Sequence, residues 1–452
     1  MRILKKITVI IFCALLLLPI FNFDFTENAV SEIDNRELAA NPLTNRGEDF
    51  TSDMENYVND RIGFRNEMIY GYTVLNDKLF GKMVHPSYSY GKDGYVFGAG
   101  VSTDIGYGEF HEVFADMVKE IQDYCEESGI PFLFVFNPAK PAIMTEYLAE
   151  GINYNREWVD QFITELKERD IHYLDNTETL KKAKESGETV FNQKFDANHW
   201  NYKGAYYGTN AILEELKKEM PEVHVNTNQD IEWKEEKKDS LLVSKFPIDE
   251  MVPIAQIDMK LEDKTGQFVN ELELDENYNA FGYYVNSLRK EEGGPKALVF
   301  QGSYMNSYGT GFLSNGFGEY IYVHDYQNIL NFPYYMNIFK PDCVVFEVAE
   351  YTFANNYFDY EKMKALDFQP SCKAFQNEEI EIQELEELGE IYVEEGETLT
   401  KIVWDTDEAY DNIWLIGGGT EYDLLKTESG YTVTILTETY QQNRQGLQLV
   451  VQ

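Results

Sequence analysis

The sequence predicts an α/β protein built on a doubly wound parallel sheet, with a β-rich insertion and a small C-terminal β module. Three observations predict it. Short, largely apolar runs at 132–136, 171–174, 296–300, 320–324 and 343–348 alternate with helical stretches, as in strands covered on both faces. The alternation lapses between about 220 and 295, where Glu and Lys clusters break up short alternating runs. Beyond about residue 380 the period becomes two, in runs such as 402–404, 413–416 and 431–435 separated by Gly and Asp.

Taken in order, Arg2, Lys5 and Lys6 precede an apolar run from Ile7 to Phe23 broken only by Thr8 and Asn22. About 17 residues at ~1.5 Å each give roughly 26 Å, near the short limit for a spanning helix. Asp24 and Glu27 follow it. The charge order predicts an uncleaved anchor over 1–24, with the N-terminus inside and the remainder extracytoplasmic, so that the chain is a single-pass protein of the cell membrane. A cleaved signal peptide is the competing reading. A polar tether and a helical segment fill 25–94, with apolar helical spacing from Phe50 to Phe80 broken at Gly63-Phe64. The α/β domain is expected over 95–380, interrupted by the insertion at about 220–295, and the β-rich module over 381–452. Within the domain, helices are expected at 110–127, 155–169, 176–186 and 328–339, and another after His199.

Composition narrows the function. A chain of 452 residues with a formal net charge of −41 presents no basic face, which excludes nucleic-acid binding. Such acidity suits a solvated ectodomain acting on neutral or cationic partners. The 32 Tyr and 29 Phe are enough both to fill cores and to stack on sugar rings. Cys125, Cys343 and Cys372, outside the apolar run, cannot close a disulfide framework and match no zinc spacing.

The chemistry-bearing stretch is Phe195 to Gly204, reading Phe-Asp-Ala-Asn-His-Trp-Asn-Tyr-Lys-Gly. Asp196, three residues before His199 on a turn opening a helix, can fix the imidazole tautomer and stabilise its protonated form. A helix cap with a satisfied histidine is the plain alternative. A base needs a nucleophile, and Ser303 is the best placed. It follows an apolar strand and Gly302, at the carboxyl end where open α/β sheets put their chemistry. Metal chemistry is the rival, drawing on His172, His199, His324, Asp196 and Asp325, but no HExxH-type spacing occurs, so no metal and no cofactor is expected. Lys140, Trp200, Tyr304 and His324 flank these motifs and are the candidate substrate contacts.

The chain resembles the SGNH-hydrolase-like proteins of the DHHW and alginate O-acetylation (AlgX/AlgJ) group. The residues that carry the resemblance are 56–65 (Asn-Tyr-Val-Asn-Asp-Arg-Ile-Gly-Phe-Arg), 91–95 (Gly-Lys-Asp-Gly-Tyr), 135–140 (Val-Phe-Asn-Pro-Ala-Lys), the Asp-His-Trp segment, Gly302-Ser303-Tyr304 and Lys340-Pro341-Asp342. It covers most of 45–365. The Asp/His motif precedes the Ser motif, the reverse of ordinary SGNH hydrolases and the order of the polysaccharide acetyltransferases. The resemblance implies an SGNH-like sheet with permuted motif order, and Ser303 as nucleophile, His199 as base and Asp196 as orienting carboxylate. It further implies an extracytoplasmic O-acetyltransferase acting on a cell-surface glycan, with a membrane-bound O-acyltransferase as acetyl donor. A carbohydrate esterase of the same fold, or a non-catalytic glycan-binding scaffold, is the alternative. There are departures: two residues rather than one separate Asp196 from His199, Gln301 replaces the usual Asp before Gly-Ser, and Glu347 to Tyr351 stand where a Gly-x-Asn-Asp oxyanion block is expected.

Overall fold

A computed structural model describes the chain apart from residues 1, 27–29, 32, 34–36, 46–48, 86, 103–104, 245, 376–380 and 385–390. Parts of the expected tether and of the acidic run near 380 thus lie outside the described residues.

The N-terminal helices are α1 (Arg2–Phe21), α2 (Phe50–Arg61) and α3 (Arg65–Phe80), the last two separated at the Gly63-Phe64 break. Phe64 there takes a left-handed conformation (φ 62°). Among the described residues no helix is long and apolar enough to cross a membrane, so the expected single-pass anchor is not shown. Helix α1 carries Lys5 and Lys6 in its first turns and ends at Phe21. Its end turns onto the chain, with Gly63 donating its N–H to Pro19 O (2.9 Å) and Asp24 donating to Arg61 O (2.9 Å).

The α/β region runs β1 (Tyr88–Tyr90), β2 (Val96–Gly98), α4 (Glu109–Glu127), β3 (Phe132–Asn137), α5 (Lys140–Ile143), α6 (Glu157–Glu168), β4 (Tyr173–Asp175), α7 (Thr177–Glu185) and α8 (Tyr202–Lys217). It continues with β5 (Ile231–Ser240), β6 (Pro247–Ile257), β7 (Leu261–Asp263), β8 (Phe281–Asn286), α9 (Ser287–Glu291), β9 (Lys296–Gln301), α10 (Thr310–Ser314), β10 (Glu319–His324), α11 (Phe332–Phe339) and β11 (Cys343–Ala349). Seven strands form the central sheet in the order β4-β3-β11-β9-β10-β8-β7. The first five are mutually parallel, so the five predicted strands are neighbours in one sheet. Because β11 lies between β3 and β9, strands from the two halves of the chain sit side by side.

The sheet is mixed rather than wholly parallel, since β8 and β7 add antiparallel at the β10 edge. Only residues 287–295 separate β8 from β9, short of the dozen or more that a parallel crossover needs. The buried strands follow period two. Phe132, Phe134, Phe136, Leu298, Phe300, Val344 and Phe346 face one core with Phe114, Phe162 and Phe332. Leu133, Val135, Val299, Cys343 and Val345 face the other, with Leu180, Ile212 and Phe312. The alternation also explains the inert thiol at Cys343, which is buried and free.

The C-terminal strands β12 (Glu381–Glu384), β13 (Ile391–Glu395), β14 (Leu399–Asp405), β15 (Ile413–Gly417), β16 (Thr420–Asp423), β17 (Leu425–Thr427), β18 (Gly430–Leu436) and β19 (Gln448–Val451) form two antiparallel sheets, β12-β19-β15-β16 and β13-β14-β18-β17. Ile402, Trp404, Leu415, Val433, Ile435 and Leu449 fill the space between them.

Candidate active site

The carboxyl ends of β3, β9 and β11 converge, and the loops leaving them carry the site. After β9 the chain turns at Gly302, and Ser303 is the first residue of the helix that follows. A side chain at position 302 would crowd Asp325, since a Cβ there would stand 3.3 Å from both of its carboxylate oxygens. Ser303 therefore sits at a helix start, where the first backbone N–H groups have no intrahelical partner. The same helix widens into a π-turn over Met305–Gly309, a distortion common at functional sites.

Asp196 and His199 arrive from the other half of the chain, on the loop before α8. Asn201 caps that helix, its side chain accepting from Lys203 and Gly204 N–H groups. His199 Nε2 lies 3.0 Å from Ser303 Oγ, and Nδ1 lies 3.1 and 3.0 Å from Asp196 Oδ1 and Oδ2. The His199 side chain is 15 % exposed and Asp196 3 %. Asp196 Oδ1 also accepts from the Asn198 and His199 N–H groups (3.0 Å each), and the Tyr308 hydroxyl donates to Oδ2 at 3.1 Å. Burial pushes the Asp196 carboxyl up, but His199 and these N–H donors outweigh it and hold the group below the usual carboxylate value. Asp196 is thus a buried anion aimed at Nδ1, which leaves Nε2 facing the Ser303 hydroxyl as acceptor.

Two groups complete the arrangement that the sequence reading did not single out. The Tyr351 hydroxyl lies 2.7 Å from Ser303 Oγ. Burial drives its pKa far above the usual phenol value, so it stays a neutral hydrogen-bond donor. It occupies the stretch after β11 where the expected oxyanion block is replaced, and that position was the available signal. Glu347, buried on β11, accepts from Gly302 N–H (2.9 Å) and from Asn137 Nδ2 (2.7 Å), so it ties the nucleophile turn to β3. Burial, with Asp325 nearby, raises its carboxyl to about 8.

The expected substrate contacts have other roles. Lys140 is fully buried, donating to Val96 O (2.8 Å) and Asp196 O (2.9 Å), and burial brings its ammonium down to about 7 against the pull of Asp196 and Glu250. Trp200 is buried and donates to Tyr304 O (3.0 Å), and the buried Tyr304 hydroxyl donates to Pro138 O and Asn198 O (2.9 Å each). These three side chains are buried and brace the loops. His324 packs on Tyr326 and Tyr278 (ring centroids 4.4 and 5.3 Å) beside Asp325. His172 pairs with Glu215 (3.2 Å), away from the triad residues. No group of side chains among the described residues could hold a metal ion.

Residues 91–259 match the family described as SGNH hydrolase-like domain, acetyltransferase AlgX. The matched stretch contains Asp196 and His199 and ends before Ser303. No curated protein sequence matches the chain. Among solved structures, the chain is similar to the O-acetyltransferase domain of Pseudomonas putida AlgJ (16 % identity, 62 % of this chain and 99 % of that one, TM-score 0.43). It is also similar to Bacillus cereus PatB1 carrying a sulfonyl adduct (13 %, 60 % and 96 %, 0.45) and to a DHHW family protein from Eubacterium siraeum (16 %, 63 % and 96 %, 0.43). Over residues 91–259 the chain is thus similar to the SGNH hydrolase-like domain of the acetyltransferase AlgX family.

Proposed function

We propose that the protein is an extracytoplasmic O-acetyltransferase that moves acetyl groups onto a cell-surface glycan through Ser303, His199 and Asp196. The observation that carries this reading is the continuous chain Tyr351–Ser303–His199–Asp196, with contacts of 2.7, 3.0 and 3.0 Å. His199 Nε2 takes the Ser303 proton as Oγ attacks the acetyl carbonyl of the donor ester. The oxyanion forms beside the Tyr351 hydroxyl and the N–H groups at the helix start. Collapse breaks the bond to the donor oxygen, which leaves with the proton from His199. A sugar hydroxyl then gives its proton to His199, attacks the acetyl-serine carbonyl and departs acetylated, and Ser303 regains its proton. Acetyl-CoA is cytoplasmic, so the donor is a membrane-bound O-acyltransferase that exports the acetyl group. Ser303 is partly exposed, which admits water as an alternative acceptor and gives an esterase on the same residues. The test supplies p-nitrophenyl acetate and an oligosaccharide, and follows acetylated sugar and free acetate in parallel. Acetylated sugar dependent on Ser303 supports the transferase; acetate alone identifies the esterase; no turnover with retained glycan binding leaves a scaffold.

A further inference from the structure

The loop that carries Asp196 is gripped from outside by a hairpin that the chemistry above does not use. β5 and β6 pair from Ile231↔Ile257 to Ser240↔Pro247, with one irregularity near Lys238. On β6 the Glu250 carboxylate reaches the loop backbone. Its Oε1 accepts from Gln193 N–H (2.6 Å), and its Oε2 accepts from Lys194 N–H (2.9 Å) and Phe195 N–H (2.6 Å). The hairpin turn adds a Leu242 N–H bond to Phe195 O (3.0 Å). The buried Lys140 ammonium also holds the loop, donating to Gln193 O (3.4 Å) and Asp196 O (2.9 Å).

Residues 190–201 contain no helix or strand, so regular structure does not fix where Asp196 points. Three successive N–H groups converging on one carboxylate form an anion-holding nest. Hydrogen bonds to an ionised acceptor are about twice as strong as neutral ones. An error on the order of 1 Å in a catalytic group can cost about 10²-fold in rate. We infer that Glu250 is a positioning residue for acyl transfer: from the hairpin it fixes the backbone of residues 193–195, and with it the aim of Asp196 at His199. The inference rests on the acyl-transfer reading. It makes the hairpin part of the catalytic apparatus, acting through Asp196 without touching substrate.

The experiment uses the full chain and compares Glu250→Ala, Glu250→Gln and Glu250→Asp with Glu235→Ala, an exposed position on the same hairpin, and with Ser303→Ala. Hydrolysis of p-nitrophenyl acetate is measured well below the Tm of each variant. Glu250→Ala is expected to lower kcat about 10- to 100-fold with KM within about twofold. Glu250→Gln, which keeps an oxygen acceptor, recovers part of the loss, and Glu235→Ala matches wild type. The proton NMR signal of the His199 Nδ1–H, in its bond to Asp196, broadens or shifts in Glu250→Ala only. An unchanged kcat and unchanged signal in Glu250→Ala overturn the inference, as does an equal loss in Glu235→Ala. If Glu250→Ala does not fold, the Gln and Asp variants decide, and wild-type kcat in both overturns it. Full activity in Ser303→Ala instead overturns the acyl-transfer reading, while the imidazole signal still reports whether Glu250 holds the loop.

Discussion

At the scale of residues, Ser303, His199 and Asp196 are expected to act as one unit. Removing Ser303 or His199 should each lower turnover by about 10³-fold or more, and the double variant should be scarcely worse, because members of such a unit are not additive. Asp196→Asn should cost less, since it leaves the imidazole in place and disturbs its tautomer. Tyr351→Phe removes the hydroxyl 2.7 Å from Ser303 Oγ. It should lower kcat by about 10²-fold with little change in KM, the behaviour of a lost oxyanion donor. Steady-state kinetics on p-nitrophenyl acetate check all five variants. Asp196, His199 and Ser303 could be singled out in the sequence because each sits at a recognisable junction, a helix start or a strand end, and the structure places them in contact. Tyr351 and Tyr308 were not, since a tyrosine at a strand end or on a helix looks the same in sequence whether it lines a core or a site. That Lys140 and Trp200 are buried was hidden for the converse reason: spacing does not tell which side of a loop faces inward.

At the scale of elements, the ends of the parallel strands are fastened by buried polar groups. Glu347 joins β11 to the Gly302 turn and to Asn137 on β3, and Asn176 donates to Asn137 Oδ1 at 2.8 Å. The Glu347 carboxyl titrates near 8 in the folded chain and near 4.3 unfolded, so between these values the native state holds the extra proton. Stability from this group is therefore complete at low pH and declines as pH rises through that window. The Tm of Glu347→Gln, a mimic of the protonated acid, should fall less than that of wild type between about pH 5 and pH 7. A parallel contact is the buried Glu350, which accepts from Arg156 Nε and Ala139 N–H (2.9 Å each) beside Tyr351. Arg156→Ala strands that carboxylate and should cost roughly 3 kcal/mol in urea unfolding. The strand runs predicted the parallel core because burial on both faces writes a continuous apolar pattern. The antiparallel edge was hidden, since Phe281 to Asn286 carries the same kind of run and direction is set by the short connection to β9.

At the scale of the whole molecule, the sheet brings together motifs more than a hundred positions apart in sequence, and the C-terminal strands pack on the back of the helix that supports it. Asn337 on α11 donates to Asp423 O (2.8 Å) and accepts from Asp423 N–H (2.9 Å), while Lys340 donates to Glu421 O (2.6 Å). Both Asn337 and Asp423 are buried. Deleting residues 381–452 should lower Tm by about 10 °C or more, or give insoluble protein, because these groups lose their partners together; thermal unfolding of the truncated chain checks it. A truncated chain as stable as the whole would show the module to be an independent appendage. The central claim is that the two halves of the chain assemble one acyl-transfer centre at Ser303. The most direct measurement is the intact and peptide mass of protein quenched within the first turnover on p-nitrophenyl acetate. The expected result is one acetyl group on Ser303 in wild type, none in Ser303→Ala, and strongly slowed formation in His199→Ala. An acetyl group on another residue, or one that forms equally fast without His199, would contradict it.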